Sequence, residues 1–302
     1  MDRVQGMIVP LVTPLRTTGE VDLPGLRRLC EIQIRAGIDV LFLLGTTGEF
    51  YGLTPAQRRQ VVETAVESVA GKIPVIVGIS GDSTASSKAT LDVCRHASLS
   101  GYVCSSPYFL SYSQAELLDY FRELADAVGE PIILYNYPSR YRHLLEIETV
   151  RKLVAEKRVF AIKDTDGDLE YMYRLLELKA HFPAFRVFEG ALKNLALSAQ
   201  RGLDGSVQAL GNLWPKECAR LWSLAKEQAW QALQADIDRM WKFHEDIEQV
   251  AIFIAALKGC MALRGWCEAQ PAAPTHCMLR SGMAEVRKLM DSAYEGWEQR
   301  NP

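Results

Sequence analysis

An amine condenses with a ketone only after it loses its proton, and among the common side chains lysine alone offers one. Lys163 stands in a position suited to that chemistry. It closes an apolar run, Val159-Phe160-Ala161-Ile162, and precedes an acidic turn, Asp164-Thr165-Asp166-Gly167-Asp168. A lysine at a strand end that faces a pocket can form a Schiff base with a keto acid. The ordinary reading is a lysine reaching into water. A free lysine titrates near 10.4, so chemistry requires its pKa to fall to about 7–8, a change of roughly 3–4 kcal/mol that desolvation can supply.

Three other groups fit beside such an amine. Gly45-Thr46-Thr47-Gly48-Glu49 combines two glycines, which let backbone amides approach a ligand, with two hydroxyl donors, a composition suited to a carboxylate. It lacks the lysine of a phosphate loop and the spacing of a dinucleotide fingerprint; a local turn capped by Thr47 is the plain alternative. Tyr135 ends an apolar run one strand before Lys163 and offers a phenol for proton transfer. Arg140, in Asn136-Tyr137-Pro138-Ser139-Arg140, offers a planar fork for a second carboxylate, or is a surface arginine. Ser105-Ser106-Pro107-Tyr108-Phe109 places aromatics where they line a pocket or a subunit contact. Lys258, the rival lysine in the apolar stretch Ala251–Cys260, is expected on a helix, away from any strand end, snorkelling to water. Asp164, Asp166 and Asp168 lack the glycine position and distal Glu of a calcium loop and read as a solvated or helix-capping turn.

The elements that must position these groups alternate. Strand-like runs occur at Met7–Val9, Val40–Leu44, Val75–Ile79, Tyr102–Cys104, Ile132–Tyr135, Val159–Ile162, Arg186–Phe188 and Gly205–Val207. Helix-like stretches lie between them, among them Leu23–Ala36, Pro55–Val69, Thr84–Ala97, Gln114–Val128, Ile147–Ala155 and Leu169–Ala180. Thr54-Pro55 reads as N-cap and first helical position, and Ser113 with Glu116 as a capping box. Eight strand–helix units predict an α/β protein, a closed (β/α)₈ barrel; an open doubly wound sheet is the alternative. After Trp214 only helices are expected, at Cys218–Lys226, Trp230–Val250, Ala251–Ala262 and Ala284–Glu298. The reading is a catalytic barrel over residues 1–213 and a C-terminal helical extension over 214–302.

Composition narrows the partners. The chain has 302 residues, 48% hydrophobic and 24% charged, with a net charge of −3, so nothing draws it to nucleic acid or an anionic membrane. No segment reads as a signal peptide or membrane span. Seven cysteines without a C-x-x-C pair argue against a disulfide framework or zinc site and suit a reducing cytoplasm. The five histidines show no metal-ligand spacing, so no metal is expected.

Taken together, Gly45-Thr46-Thr47-Gly48-Glu49, Tyr135-Asn136-Tyr137-Pro138 and Ile162-Lys163-Asp164 resemble, in order and in barrel position, the dihydrodipicolinate synthase / N-acetylneuraminate lyase family. That resemblance runs from about Gly6 through the helical tail and implies a class I pyruvate-dependent aldolase. It implies that Lys163 forms an imine with pyruvate, with no other cofactor. Thr46 and Thr47 would hold the pyruvate carboxylate and Tyr135 would transfer protons. Val207 would contact pyruvate through its backbone, and Gly190 would line the pocket. Arg140 matches an arginine that holds an aldehyde's carboxylate in the synthases, and Tyr108 belongs to the same set. A homotetramer or homodimer is implied. The chain departs from the synthases at Phe109, where they carry a second tyrosine, with Tyr112 the nearby phenol. A lysine-feedback site, where the family has one, uses polar and acidic residues at the positions of Asp82 and Ser86 and a histidine where this chain has Pro55, so feedback by lysine is not expected, and Ala191 stands where an acidic residue is usual. Lys163-Asp164-Thr165-Asp166-Gly167-Asp168 is closer to the sugar-acid aldolases. The implied partner of pyruvate is therefore the aldehyde of a 2-keto-3-deoxy sugar acid or 4-hydroxy-2-oxo acid. Aspartate semialdehyde, in a dihydrodipicolinate synthase, is the alternative; a metal-dependent aldolase and a non-catalytic ligand sensor are further ones.

Overall fold

A computed structural model describes residues 3–298; residues 1, 2 and 299–302, the ends of the two expected segments, lie outside the described residues. Eight parallel strands close on themselves in sequence order, with β1 paired to β8. They are β1 (Gly6–Pro10), β2 (Val40–Leu43), β3 (Val75–Gly78), β4 (Gly101–Ser105), β5 (Ile132–Asn136), β6 (Val159–Asp164), β7 (Arg186–Glu189) and β8 (Gly205–Val207). The strands are short and buried on both faces, so they read as continuous apolar runs and not as alternating ones. One face supplies Ile8, Phe42, Ile133 and Phe188 to the barrel interior. The other supplies Val9, Leu41, Leu134 and Val187 to the layer beneath the helices. The open-sheet alternative is thereby excluded.

The surrounding helices are α1 (Leu23–Arg35), α2 (Pro55–Val69), α3 (Thr84–Cys94), α4 (Gln114–Val128), α5 (Pro138–Tyr141), α6 (Ile147–Ala155), α7 (Leu169–Glu177) and α8 (Leu195–Ala199). Their starts follow local chemistry. Thr54 and Ser113 form capping boxes with Gln57 and Glu116, each reciprocating backbone donors that would otherwise lack partners. Four more helices follow the barrel: α9 (Pro215–Lys226), α10 (Trp230–Val250), α11 (Phe253–Leu263) and α12 (Arg280–Glu298).

Three local expectations change. Strand β2 stops at Leu43 because Leu44 turns left-handed, at φ 54°, into the Gly45 loop. Strand β6 continues through Lys163 and Asp164, because neighbours on both sides extend the ladder: Tyr135 and Phe188 flank Lys163, and Asn136 and Glu189 flank Asp164. Asp164 is consequently buried and accepts a 2.6 Å hydrogen bond from Asn136, so it does not belong to a solvated turn; Asp168 alone caps α7.

Lys258 is the third change. It does not snorkel: its side chain is fully buried on α11 and ion-paired with Glu49, itself fully buried at the end of the Gly45–Glu49 loop. The ammonium also donates to the Gln270 carbonyl at 2.9 Å, while Glu49 Oε1 accepts from the Ala272 amide at 2.6 Å. A charge this deep stays only because another meets it. Replacing Lys258 by Met strands the Glu49 carboxylate and should cost about 3–5 kcal/mol in urea unfolding. The double change Glu49→Gln/Lys258→Met should recover at least half of that loss, because no buried charge then remains.

Candidate active site

Tyr135 and Lys163 are direct neighbours across the β5–β6 ladder, and their side chains meet inside the barrel mouth. Lys163 Nζ lies 3.8 Å from the centre of the Tyr135 ring and 5.7 Å from that of Phe42. The lysine is only 7% exposed. Burial lowers its pKa from 10.5 to about 7, with Tyr137 and Asp164 opposing the shift. At pH 7 a far larger share of such amines is neutral than the roughly one in two thousand of a free lysine.

Lys163, Tyr135, Thr46, Thr47, Arg140, Gly190 and Val207 all line one cavity of about 370 Å³. Tyr108 does not reach it. That ring lines an adjoining outer cleft of about 660 Å³, packed 6.2 Å from the Tyr141 ring. Thr46, Thr47 and Arg140 border both spaces. Phe109 is 73% exposed, and Tyr112 packs on His143 and lines neither space.

The Gly45–Glu49 loop is held from three sides. Thr13 donates to the Gly48 carbonyl at 2.8 Å, Arg58 donates to the Phe50 carbonyl at 2.9 Å, and Glu49 is engaged by Ala272 and Lys258. The two threonines are thus presented on a fixed turn, not on a free loop. Gly190 is required for a different reason. A Cβ there would fall 2.2 Å from Thr165 Oγ1 and 2.7 Å from the Asp164 carbonyl oxygen, with Lys163 Cε at 3.1 Å.

Tyr135 is buried, and burial keeps its phenol well above its ordinary pKa, with Thr46 and Thr165 as hydroxyl partners that moderate the shift. It is a neutral donor at physiological pH. Behind the lysine, Asp164 and Glu189 are also buried, and burial holds both above the usual carboxylate range. Glu189 accepts from Ser198 at 2.7 Å and from the Ala191 amide at 2.8 Å.

Several lining residues were not anticipated. Tyr141 hydrogen-bonds Thr46 through its hydroxyl at 3.1 Å. Its signal was Pro138, which starts a single helical turn and sets Tyr137 and Tyr141 one turn apart. Trp241, His244 and Glu248 of α10 and Phe253 of α11 form the far wall of the cavity. No local pattern marks them, because they come from a helical segment that reads as ordinary amphipathic sequence.

The arrangement can desolvate an amine, hold a carboxylate and deliver a proton. Comparison with known proteins places the chain among relatives. The family model described as the dihydrodipicolinate synthetase family matches residues 3–293. A 4-hydroxy-tetrahydrodipicolinate synthase of Stenotrophomonas maltophilia (strain R551-3) is 32% identical over 245 residues, 80% of this chain and 81% of its own. The putative 2-dehydro-3-deoxy-D-gluconate aldolase YagE of Escherichia coli K12 is 30% identical over 250 residues, 81% of this chain and 80% of its own. The crystal structure of YagE in complex with pyruvate superposes with a TM-score of 0.90 at 25% identity, over 96% of this chain and 99% of that one.

The lysine shift has a consequence for stability. Unfolded, Lys163 holds its proton up to about 10.5; folded, it releases it near 7. The burial penalty is therefore complete below pH 7 and disappears as pH rises toward 10.5, a range worth on the order of 4–5 kcal/mol. Lys163→Met should be more stable than the parent at pH 6, with the gain shrinking steadily by pH 10 in denaturant titrations.

Proposed function

This chain belongs to the dihydrodipicolinate synthetase family, and within it we propose a pyruvate-dependent aldolase in which Lys163 carries the substrate as an imine. The observation that carries this reading is the buried Lys163 amine, 3.8 Å from the centre of the Tyr135 ring, in one cavity with Thr46 and Thr47. The amine attacks the pyruvate ketone, and water leaves as the imine forms. The Thr46–Thr47 turn holds the carboxylate. The imine makes the methyl group acidic, and Tyr135, having given its proton to the departing water, takes one from the methyl group as the enamine forms. The enamine carbon attacks an aldehyde, whose oxygen takes a proton from Tyr135, and hydrolysis frees a 4-hydroxy-2-oxo acid. Cleavage is the same path reversed. The lysine replaces any separate cofactor.

The charges around the cavity support an uncharged hydroxyaldehyde as the partner, as in the 2-keto-3-deoxy sugar acids. Besides Lys163, its lining carries the cations Arg140 and Lys193 and the anions Asp166 and Glu248. A hydrogen bond with Tyr137 and, to a lesser extent, the nearby charge of Glu248 stabilise the Arg140 guanidinium. Burial lowers the pKa of His244, so at neutral pH its imidazole does not cancel Glu248. A substrate hydroxyl can accept from Arg140 and donate to Glu248. A carboxylate can only accept, and Glu248 repels it. The synthase reading, with aspartate semialdehyde, draws on Arg140 and on relatives such as the S. maltophilia synthase. We further propose a homodimer or homotetramer in a reducing cytoplasm. Seven free cysteines, six of them buried, support that setting.

Borohydride added with pyruvate should leave a covalent adduct on Lys163 in the intact-mass spectrum. An adduct elsewhere, or none, ends the imine reading and favours a non-catalytic sensor. In coupling assays, kcat/KM for glyceraldehyde should exceed that for aspartate semialdehyde at least tenfold, and Arg140→Ala should depress the second more than the first. The reverse preference would establish the synthase alternative.

A further inference from the structure

Two buried carboxyls behind the reactive lysine take no part in the steps above. Asn136, Asp164, Glu189 and Ser206 stand side by side at the ends of β5 to β8, in one register row. Successive strand residues point to opposite faces. On β6, Ala161 belongs to the barrel interior and Ile162 to the helix layer. Lys163 therefore points inward, into the cavity, and Asp164 points outward beneath the helices. All four residues of the row are buried.

The two acids are served differently. Glu189 Oε1 accepts from the Ala191 amide at 2.8 Å and Oε2 from the Ser198 hydroxyl at 2.7 Å, so both oxygens meet donors. Asp164 Oδ1 accepts from Asn136 at 2.6 Å, whereas Oδ2 is buried with no donor in hydrogen-bond geometry. A negative charge is stable where donors surround it and costly where an oxygen is left bare. Two adjacent carboxyls in a dry site do not both ionise. The charge therefore belongs on Glu189 and the proton on Asp164. Burial, and after it the charge of Glu189, raise the pKa of Asp164.

We propose that Glu189 is a positioning residue for the imine step: it holds the negative charge of this pair, keeps the proton on Asp164, and so leaves no anion directly behind the Lys163 amine. The proposal rests on the imine reading above. Lys163 lies against the rings of Tyr135 and Phe42, and the groups that favour its charged form are Tyr137 and Asp164. Arg140, Asp166, Lys193, His244 and Glu248 line the same cavity. Asp164 in turn faces Glu189, Asp166 and Tyr171. An ionised Asp164 would hold the proton on the lysine, and a neutral one releases it. Glu189 thus acts on the amine only through Asp164.

The pH profile of imine formation tests this, read in the full-length protein by mixing with pyruvate and quenching with borohydride at timed intervals. Glu189→Gln should move the acid limb of the rate upward by about one pH unit, slowing trapping about tenfold below it, because Asp164 then ionises. Asp164→Asn should leave the limb at or below that of the parent. The double variant should follow Asp164→Asn. Infrared spectra at pH 7 give a second readout: a protonated carboxyl band that shifts when the protein carries carbon-isotope-labelled aspartate, and that vanishes in Glu189→Gln. A limb that stays in place or moves down in Glu189→Gln, or a double variant that follows Glu189→Gln, overturns the proposal. If Glu189→Gln fails to fold, the parent decides, since absence of the labelled aspartic acid band overturns the proposal and its presence supports it. A parent that forms no adduct on Lys163 fails at the imine reading itself, and the proposal falls with it.

Discussion

Everything at the barrel mouth depends on removing water from one amine. An ammonium pressed against the faces of Tyr135 and Phe42 has lost most of its hydration, and the rings return only part of that energy. The protonated form suffers and the neutral form does not. This one constraint requires a closed barrel, because an open sheet would leave the end of β6 wet. It requires neighbours on both sides of β6, which carry the strand through Lys163. It also requires Gly190, since a Cβ there would collide with Thr165 and the Asp164 carbonyl and crowd the lysine stem.

The helical extension is part of that enclosure. Helices α10 and α11 supply Trp241, His244, Glu248 and Phe253 to the far wall, so the cavity is not complete without them. Trp241 stacks on His244, which packs tilted against Phe253, at 5.0 and 4.5 Å between ring centres, so the wall is continuous aromatic surface. The same extension reaches the turn that carries Thr46 and Thr47. Lys258 and Ala272 grip Glu49, the last residue of that turn, in the dry interior. A buried ion pair is weak evidence for stability but strong evidence for a defined geometry, because either charge alone is penalised heavily. The turn is thereby tied to both the barrel and the extension.

Much of this was legible along the chain. Eight apolar runs separated by amphipathic segments forecast the barrel, since strands buried on both faces must be apolar throughout. The capping residues Thr54 and Ser113 marked helix starts because a cap acts within one turn. Lys163, Tyr135 and the Gly45–Glu49 loop announced themselves by residue type and by standing at strand ends. Asp164 and Lys258 were misread for one shared reason. Each is a charged residue whose usual place is water, and the group that changes its fate is remote: Asn136 for Asp164, Glu49 for Lys258.

The sequence by itself determined the alternation of elements, the types of the reactive groups and the order in which they follow one another. These are properties of short stretches, where hydrophobic period, turn chemistry and capping act between residues a few positions apart. Closure of the barrel decided the rest. It brought Tyr135 over Lys163, set Tyr141 against Thr46, and folded α10 and α11 across the mouth. It also decided how far Lys163 titrates from its ordinary value, because desolvation depends on which atoms surround a charge, and those atoms come from strands and helices far apart in the chain.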